Sequence, residues 1–352
     1  MKNLFRNNIK QMNGYTPGEQ PKDKKYIKLN TNENPYPPSP KIIKILKKFD
    51  YKNLRLYPDP TATSLISAAA KHYNVSENNI LAGNGSDDIL TIAIRAIAGE
   101  NDKIAYPTPS YSLYPELTDI QGSLRKPITL KNDFSLPKDI LSQLKGTSLF
   151  IIPNPNAPSG NLFDKALLKK ICREYEGIVL IDEAYAEFAS DTCLDFSDSF
   201  SNVIVSRTLS KSFSLAAIRI GFAIAQPEII KQLSKAKDSY NTNMLSQLIA
   251  QSAIKDFNYT QQNITKIIAT RNNYIQKFEE LGWNIIPSET NFIFAKPFNI
   301  TAEKYFHQMR ENGILIRYFP GKNTGKYVRI TIGTNEEMNS LYKTTLKIME
   351  KN

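Results

Sequence analysis

The sequence predicts an α/β protein in which a sheet with crossover helices is followed by a smaller α+β unit. Three observations predict it. Short apolar runs of strand length alternate with segments of helical period from about residue 79 to residue 225, the pattern of strands joined by crossover helices. Four polar clusters, GNGSDD, NPNAPSG, DEAY and RTLSK, each follow one of those runs, at the strand ends where an open α/β sheet binds ligands. Past about residue 255 the alternation stops, and a long helical stretch leads into shorter mixed elements.

Residues 1–30 are polar, carry Pro17 and Pro21 and show no helical period, so they read as an extended arm. Residues 30–40, NTNENPYPPSP, are too rich in proline for a regular element. Helical period returns over 41–49 and 63–73. A strand at 79–82 leads into GNGSDD, and a helix covers 89–98. Strands follow at 103–106 and 148–152, the latter running into NPNAPSG. A helix at 165–175 precedes the strand 178–181, which ends at Asp182. The strand 203–206 ends in RTLSK, another spans 218–225, and a long helix begins near Pro227. The last unit holds a helix at 263–281, the segment 283–287, NFIFA, a helix at 302–312, GILIRYF and YVRITIG. The boundary is expected inside the helical region 228–255, giving an arm (1–30), a large domain (31–245) and a small C-terminal domain (246–352).

Composition narrows the function classes. The chain has 352 residues, 41% hydrophobic and 22% charged, a soluble globular profile rather than a disordered or fibrous one. Two cysteines and two histidines make neither a disulfide framework nor a histidine-rich metal site, so no metal is expected. The net charge of +11 raises nucleic acid as a partner. Only eleven of the 45 basic residues are arginine, and the lysines are scattered without interleaved aromatics. A solvated lysine-rich surface, or an anionic small substrate, suits this better. No signal-peptide core is visible, and the most apolar long stretch, 215–225, is interrupted by Arg219 and too short to span a bilayer. The expected location is the cytoplasm, with no membrane partner.

Each strand-end cluster has a chemical reading and a plain one. Gly83 and Gly85 permit a tight turn, and Ser86 suits a helix N-cap whose free N–H groups attract anions. The third position of a dinucleotide fingerprint is Asp88 rather than glycine, and alone the segment reads as a capped helix. Asp182 follows four apolar residues, so its carboxylate needs a partner to offset desolvation. A protonated heterocyclic nitrogen would serve, with Tyr185 reaching the same space; a strand-end cap is the plain alternative. Lys211 stands among Thr208, Ser210 and Ser212 with Arg219 eight residues on. Such a lysine can form an imine with a carbonyl cofactor while Thr208, Ser210 and Arg219 hold a phosphate; the plain alternative is a surface lysine.

Together these segments resemble the fold-type I enzymes of pyridoxal 5′-phosphate (PLP) in the aminotransferase class, and within it the histidinol-phosphate aminotransferases. The resemblance is carried by NTNENPYPPSP, RLYPDP, GNGSDD, PTPSYSLY, NPNAPSG, IDEAYAEF, RTLSKSFSLAAIRIG, NFIF and VRITIGT, nearly the whole chain. It implies a large domain with a mostly parallel central sheet flanked by helices, a smaller α+β domain and an N-terminal arm. It implies PLP held as an aldimine on Lys211, which then moves a proton between Cα and C4′. Asp182 would pair with the pyridine nitrogen, Tyr185 with the phenolate oxygen, and Tyr111 would stack on the ring. Gly85, Ser86, Asp87, Thr208, Ser210 and Arg219 would hold the phosphate. Tyr57 would reach it from a partner subunit, implying a homodimer with shared sites. Arg329 would grip the carboxylate of glutamate or 2-oxoglutarate and also serve the phosphate end of histidinol phosphate; Tyr15 and Arg317 would contact that phosphate with Asn291 near them, and Asn34 would be a further substrate-binding residue. Two positions depart from the pattern. Ala157 replaces an asparagine that touches the phenolate oxygen, with Asn156 as its expected substitute, and Ser214 replaces a glycine. Threonine-phosphate decarboxylase of cobalamin synthesis and an aromatic-amino-acid aminotransferase remain as rival readings. A nucleic-acid-binding regulator of this fold would carry an N-terminal helix-turn-helix, for which a thirty-residue arm leaves no room.

Overall fold

The computed structural model describes residues 4–14, 18–21 and 25–350. Its strands, in chain order, are β1 (Ile27–Lys28), β2 (Ile80–Gly83), β3 (Lys103–Thr108), β4 (Leu124–Thr129), β5 (Leu149–Pro153), β6 (Ile178–Asp182), β7 (Val203–Thr208), β8 (Gly221–Ala225), β9 (Asn284–Ile286), β10 (Phe292–Lys296), β11 (Ile314–Leu315), β12 (Arg317–Tyr318) and β13 (Val328–Thr331). The large sheet runs β2-β8-β7-β6-β5-β3-β4. All its pairings are parallel except the two made by β8.

Residues of β5, β6 and β7 are apolar on both faces because helices cover both faces. Ile151, Leu180 and Ile204 point to one side, against Ile89 and Ala93 of the helix Ser86–Ile97 and Leu233 of the helix Pro227–Ala236. Phe150, Ile152, Val179, Ile181, Val203 and Val205 point to the other, against Leu168 and Ile171 of the helix Lys165–Glu174. The two-residue period of a strand therefore sends Asp182 and Ser206 to the side of the helix Ser86–Ile97, and Glu183 and Arg207 to the opposite side.

The smaller sheet, β12-β13-β10-β9, is antiparallel. Ile293, Ala295 and Ile330 pack there on Ile264, Ile267 and Phe278 of the helix Phe257–Glu280. The end of the arm joins this unit: β1 pairs with β11, and Leu29 is buried in the same core.

Several local features differ from the sequence expectation. The arm holds a five-residue helix, Asn7–Gln11, too short and too exposed to show a period. It lies along the helix Leu113–Gln121, where Asn8 donates to the Asp119 carbonyl (2.5 Å) and Arg6 to those of Ile120 and Gln121. That helix and β4 were not expected. β4 (LRKPIT) is a largely exposed edge strand, so it lacks the apolar run of its neighbours. The helix expected from Pro227 onward is two helices, broken before Met244. The second, Met244–Ile254, packs through Ile249, Ala250 and Ala253 on Leu65, Ala69 and Phe222, in the core of the large unit; a cut at 245/246 would run through it. The strand expected from 218 begins at Gly221, because Ala216–Ile218 is a 3-10 turn and Arg219 has φ +57°. Ser214 has φ +60°, in the left-handed region that favours the glycine it replaces.

Candidate active site

A cavity of about 600 Å³ opens at the carboxyl ends of β5, β6 and β7, closed on the far side by β12, β13 and arm residues Asn13, Gly14 and Gly18. Strand geometry alone delivers Asp182 and the turn after β7 to its floor.

Asp182 is buried. Its Oδ2 accepts a hydrogen bond from the Tyr114 hydroxyl (2.8 Å) and its Oδ1 one from the Ser206 hydroxyl (3.0 Å). Burial pushes its carboxyl up to about 6, against these two hydrogen bonds and with Asp87 adding to the rise. Lys211 follows β7 by three residues. The Asn34 side-chain amide donates to the carbonyls of Lys211 (3.1 Å) and Ser212 (3.0 Å), fixing the turn, and Lys211 Nζ is 3.4 Å from the Thr31 carbonyl. Burial lowers the lysine to about 8, helped by the charge of Arg329 and, less, of Arg219, while Glu33 and Asp87 oppose. The Tyr185 hydroxyl accepts from Asn32 Nδ2 at 2.8 Å, and burial raises that phenol above its ordinary value.

One end of the cavity is built to receive an anion. The helix Ser86–Ile97 starts there, its N-terminal Ser86 and Asp87 on the cavity wall. Gly85 at φ +89° leaves room for Arg219: a Cβ on Gly85 would lie 2.6 Å from Arg219 Nη2, and one on Gly221 would lie 2.6 Å from Ser86 N. Arg219 pairs with Asp87 at 3.1 Å, and the Tyr111 hydroxyl donates to the other Asp87 oxygen at 3.2 Å. Thr208 Oγ1 donates to Ser210 Oγ at 3.0 Å. At the other end two arginines face each other across strands, Arg317 being the direct partner of Arg329. Arg329 donates to the Asn30 carbonyl (3.0 Å), and its guanidinium lies 5.2 Å from the ring centres of Phe292 and Phe319. Arg317 lies 5.5 Å from Phe319. Like charges directly opposite each other are unfavourable unless an anion joins them.

The cavity brings together Ser86, Asp87, Tyr111, Asp182, Tyr185, Thr208, Ser210, Lys211, Arg219, Arg317 and Arg329, with Gly85 shaping the turn. Other expected residues stand elsewhere. Asn156 is buried between its own loop and the one after β3, with its amide donating to Pro109 O and Ser159 Oγ and accepting from Ser110 Oγ. It is Ala157 that lines the cavity, so Asn156 does not replace the missing ring contact. Asn34 and Asn291 act from behind the wall: Asn34 holds the Lys211 turn, and Asn291 donates to the Asn32 carbonyl (3.0 Å). Tyr57 is 79% exposed and stacks on Tyr240 (4.5 Å between centres), away from this chain's cavity. Tyr15 lies outside the described residues. Sequence reasoning missed Tyr114, Ser206 and Asn32. The two-residue period of β7 points to Ser206, and the three-residue spacing from Tyr111, just before the helix, to Tyr114 on its first turn points to Tyr114; Asn32 leaves no local signal.

Comparison with known proteins then decides the family. The aminotransferase class I and II family matches residues 24–344. The chain belongs to the class I and II aminotransferases. Curated relatives within the class include the histidinol-phosphate aminotransferase of Microcystis aeruginosa, 41% identical over 98% of each chain. That of Brachyspira hyodysenteriae is 42% identical over the full length of both. Among solved aminotransferases, the histidinol-phosphate aminotransferase of Sinorhizobium meliloti in complex with pyridoxal-5′-phosphate superposes with a TM-score of 0.89 at 22% identity, over 99% of this chain and 98% of that one. The fold-type I architecture is thus the aminotransferase fold.

Proposed function

We infer that this aminotransferase exchanges an amino group between L-histidinol phosphate and 2-oxoglutarate, with PLP as cofactor, in L-histidine biosynthesis. The observation that carries the reading is the cross-strand pair Arg317 and Arg329, on the wall opposite Lys211. It offers two fixed cations to substrates that are a phosphate in one half-reaction and a dicarboxylate in the other. Full-length relatives of about 40% identity bearing the name histidinol-phosphate aminotransferase support the same substrate.

The residues present fit PLP. Asp182 is a buried carboxylate whose bonded neighbours are neutral hydroxyls, so a protonated ring nitrogen would supply its missing countercharge. The space that a Cβ on Gly85 or Gly221 would close, beside Arg219 and the start of a helix, suits a phosphate. Bound PLP supplies a ring that withdraws the electron pair left when a proton leaves substrate Cα. Lys211 would hold the cofactor and would take and return that proton; an amine brought down to about 8 is near the best strength for transfer in both directions near neutrality. Asp182 would keep the ring nitrogen protonated, Tyr185 would hydrogen-bond the ring oxygen, and Tyr111 would cover the ring face. Arg329 forks onto the carboxylate of glutamate, and Arg317 meets the phosphate of histidinol phosphate. Asn34 serves by holding the Lys211 turn, and the sequence resemblance makes Tyr15 a candidate phosphate contact.

We place the shared site in a homodimer. Tyr51, Leu54, Leu56 and Tyr57 form one segment of exposed large apolar side chains, between 48% and 79% accessible, with Ile43 and Leu46 exposed on the preceding helix. An apolar surface of this kind marks an interface, and a second copy would bring Tyr57 to its partner's phosphate. The large domain is read as ending before the helix Phe257–Glu280. Both cysteines are buried free thiols, in keeping with the cytoplasm. No helix among the described residues is long and apolar enough to cross a membrane. The test is to offer the purified protein histidinol phosphate, phosphothreonine and phenylalanine in turn with 2-oxoglutarate, following glutamate and carbon dioxide. Glutamate formed fastest from histidinol phosphate supports the reading. Carbon dioxide from phosphothreonine, or a preference for phenylalanine, overturns it.

A further inference from the structure

Tyr114 sits on the first turn of the helix Leu113–Gln121 and is fully buried. Among the described residues its hydroxyl has one hydrogen-bond partner, Asp182 Oδ2, at 2.8 Å. Its ring meets Tyr111 edge-on, with centres 5.5 Å apart and planes at 88°, and its backbone carbonyl is tied by the Thr118 hydroxyl at 2.8 Å. Ser206, directly beside Asp182 in the β6–β7 register, donates to the other carboxylate oxygen. With a hydroxyl donor on each oxygen, and the Ala184 backbone N–H as a further donor, the carboxylate cannot rotate about its Cβ–Cγ bond without breaking both hydroxyl bonds. The same clamp favours the anion, since a protonated carboxyl would give up one of the two as an acceptor.

We propose that Tyr114 is a positioning residue for the cofactor: with Ser206 it holds the Asp182 carboxylate in one plane and as an anion, while its ring edge steadies Tyr111 on the facing side of the site. This rests on the reading of Asp182 as the partner of the ring nitrogen. The ionisable groups around the clamp are Asp87, Tyr111, Glu116, Tyr185 and Lys211, which line the cavity, and Tyr106, whose ring centre lies 6.3 Å from that of Tyr114. Burial and the neighbouring Asp182 charge hold the Tyr114 phenol well above 10, so it donates throughout the working range and never competes for the proton.

The test follows the Asp182 carboxyl by infrared spectroscopy in cofactor-free protein labelled with ¹³C-aspartate, assigned by loss of the signal in Asp182→Asn. Tyr114→Phe keeps the ring and removes the donor; Ser206→Ala removes the other. Each should raise the titration midpoint by about one pH unit, with the double variant higher still, and Tyr114→Phe should bind PLP about tenfold more weakly at pH 8. A merely structural role would lower the melting temperature and leave the midpoint in place. An unmoved midpoint in folded Tyr114→Phe overturns the inference; if that variant does not fold, an unmoved midpoint in Ser206→Ala does so. A raised midpoint with unchanged PLP affinity upholds the clamp and counts instead against Asp182 as the ring's partner, so the two ideas fail separately.

Discussion

The cavity has two halves built on different principles. The half around Asp182 and Lys211 hangs on adjacent central strands whose residues are buried on both faces, and its polar atoms are already paired: Asp182 with two hydroxyls, the Lys211 turn with Asn34. The half around Arg317 and Arg329 hangs on two short strands and the arm, with partly exposed guanidinium groups facing each other. The first half is preorganised for a resident group, and the second sets two guanidinium groups side by side on neighbouring strands, suited to anions that come and go. Substitutions in the first should therefore damage every reaction, whereas in the second Arg317 should choose between substrates and Arg329 should serve both.

The largest effect is expected at Lys211. Lys211→Ala removes the proton carrier and should cut turnover by at least about 10⁴-fold while PLP still binds. Borohydride reduction of the native protein should fix the label on Lys211, and a label on another lysine would contradict the assignment. Asp182→Asn should cost about 10²–10³-fold and have a second consequence in the cofactor-free protein. The folded carboxyl titrates at about 6, above its ordinary 3.8, so the folded state holds that proton more tightly than the unfolded one. Its contribution to stability is full below pH 4 and is lost as pH rises through 6, a loss of about 3 kcal/mol. Asp182→Asn should thus be the more stable cofactor-free protein at pH 8, by denaturant unfolding, with the gap closing toward pH 4.

Those two residues were also the most legible, because a charged or polar residue ending an apolar strand stands out in one dimension. The same holds for GNGSDD, RTLSK and the alternation that announces the large sheet. What stayed hidden depends on contacts between distant segments. Asn32 reaches Tyr185 across 153 positions, β4 is a polar edge strand, and Asn156 is held by Pro109 and Ser110 of the loop after β3. The break before Met244 interrupts what reads as one amphipathic period.

Smaller effects should sharpen the contrast. Neutralising Arg329, the strongest charge lowering Lys211, should raise the pH midpoint at which cofactor-free protein takes up PLP, because the lysine must be uncharged to react. Arg329→Gln should move that midpoint upward from about 8, and Arg219→Gln should move it less. Uptake kinetics against pH would show the order. Smallest of all, Ser214→Gly should stabilise the chain by roughly 0.5 kcal/mol, since relief of a left-handed serine slightly exceeds the added flexibility of glycine. A loss on unfolding measurements would mean that the serine hydroxyl outweighs its backbone strain.

The division between the halves is tested most directly by single-turnover measurement of both half-reactions in Arg317→Ala and Arg329→Lys. Removing one member of a desolvated charge pair costs about 2–5 kcal/mol. Arg317→Ala should therefore slow the histidinol-phosphate half-reaction by about 30-fold or more and leave the glutamate half-reaction near its native rate. Arg329→Lys should slow both, because both substrates settle against that wall. Equal losses in Arg317→Ala would contradict the account, leaving the phosphate of histidinol phosphate without a dedicated cation and the cavity better suited to an aromatic amino acid.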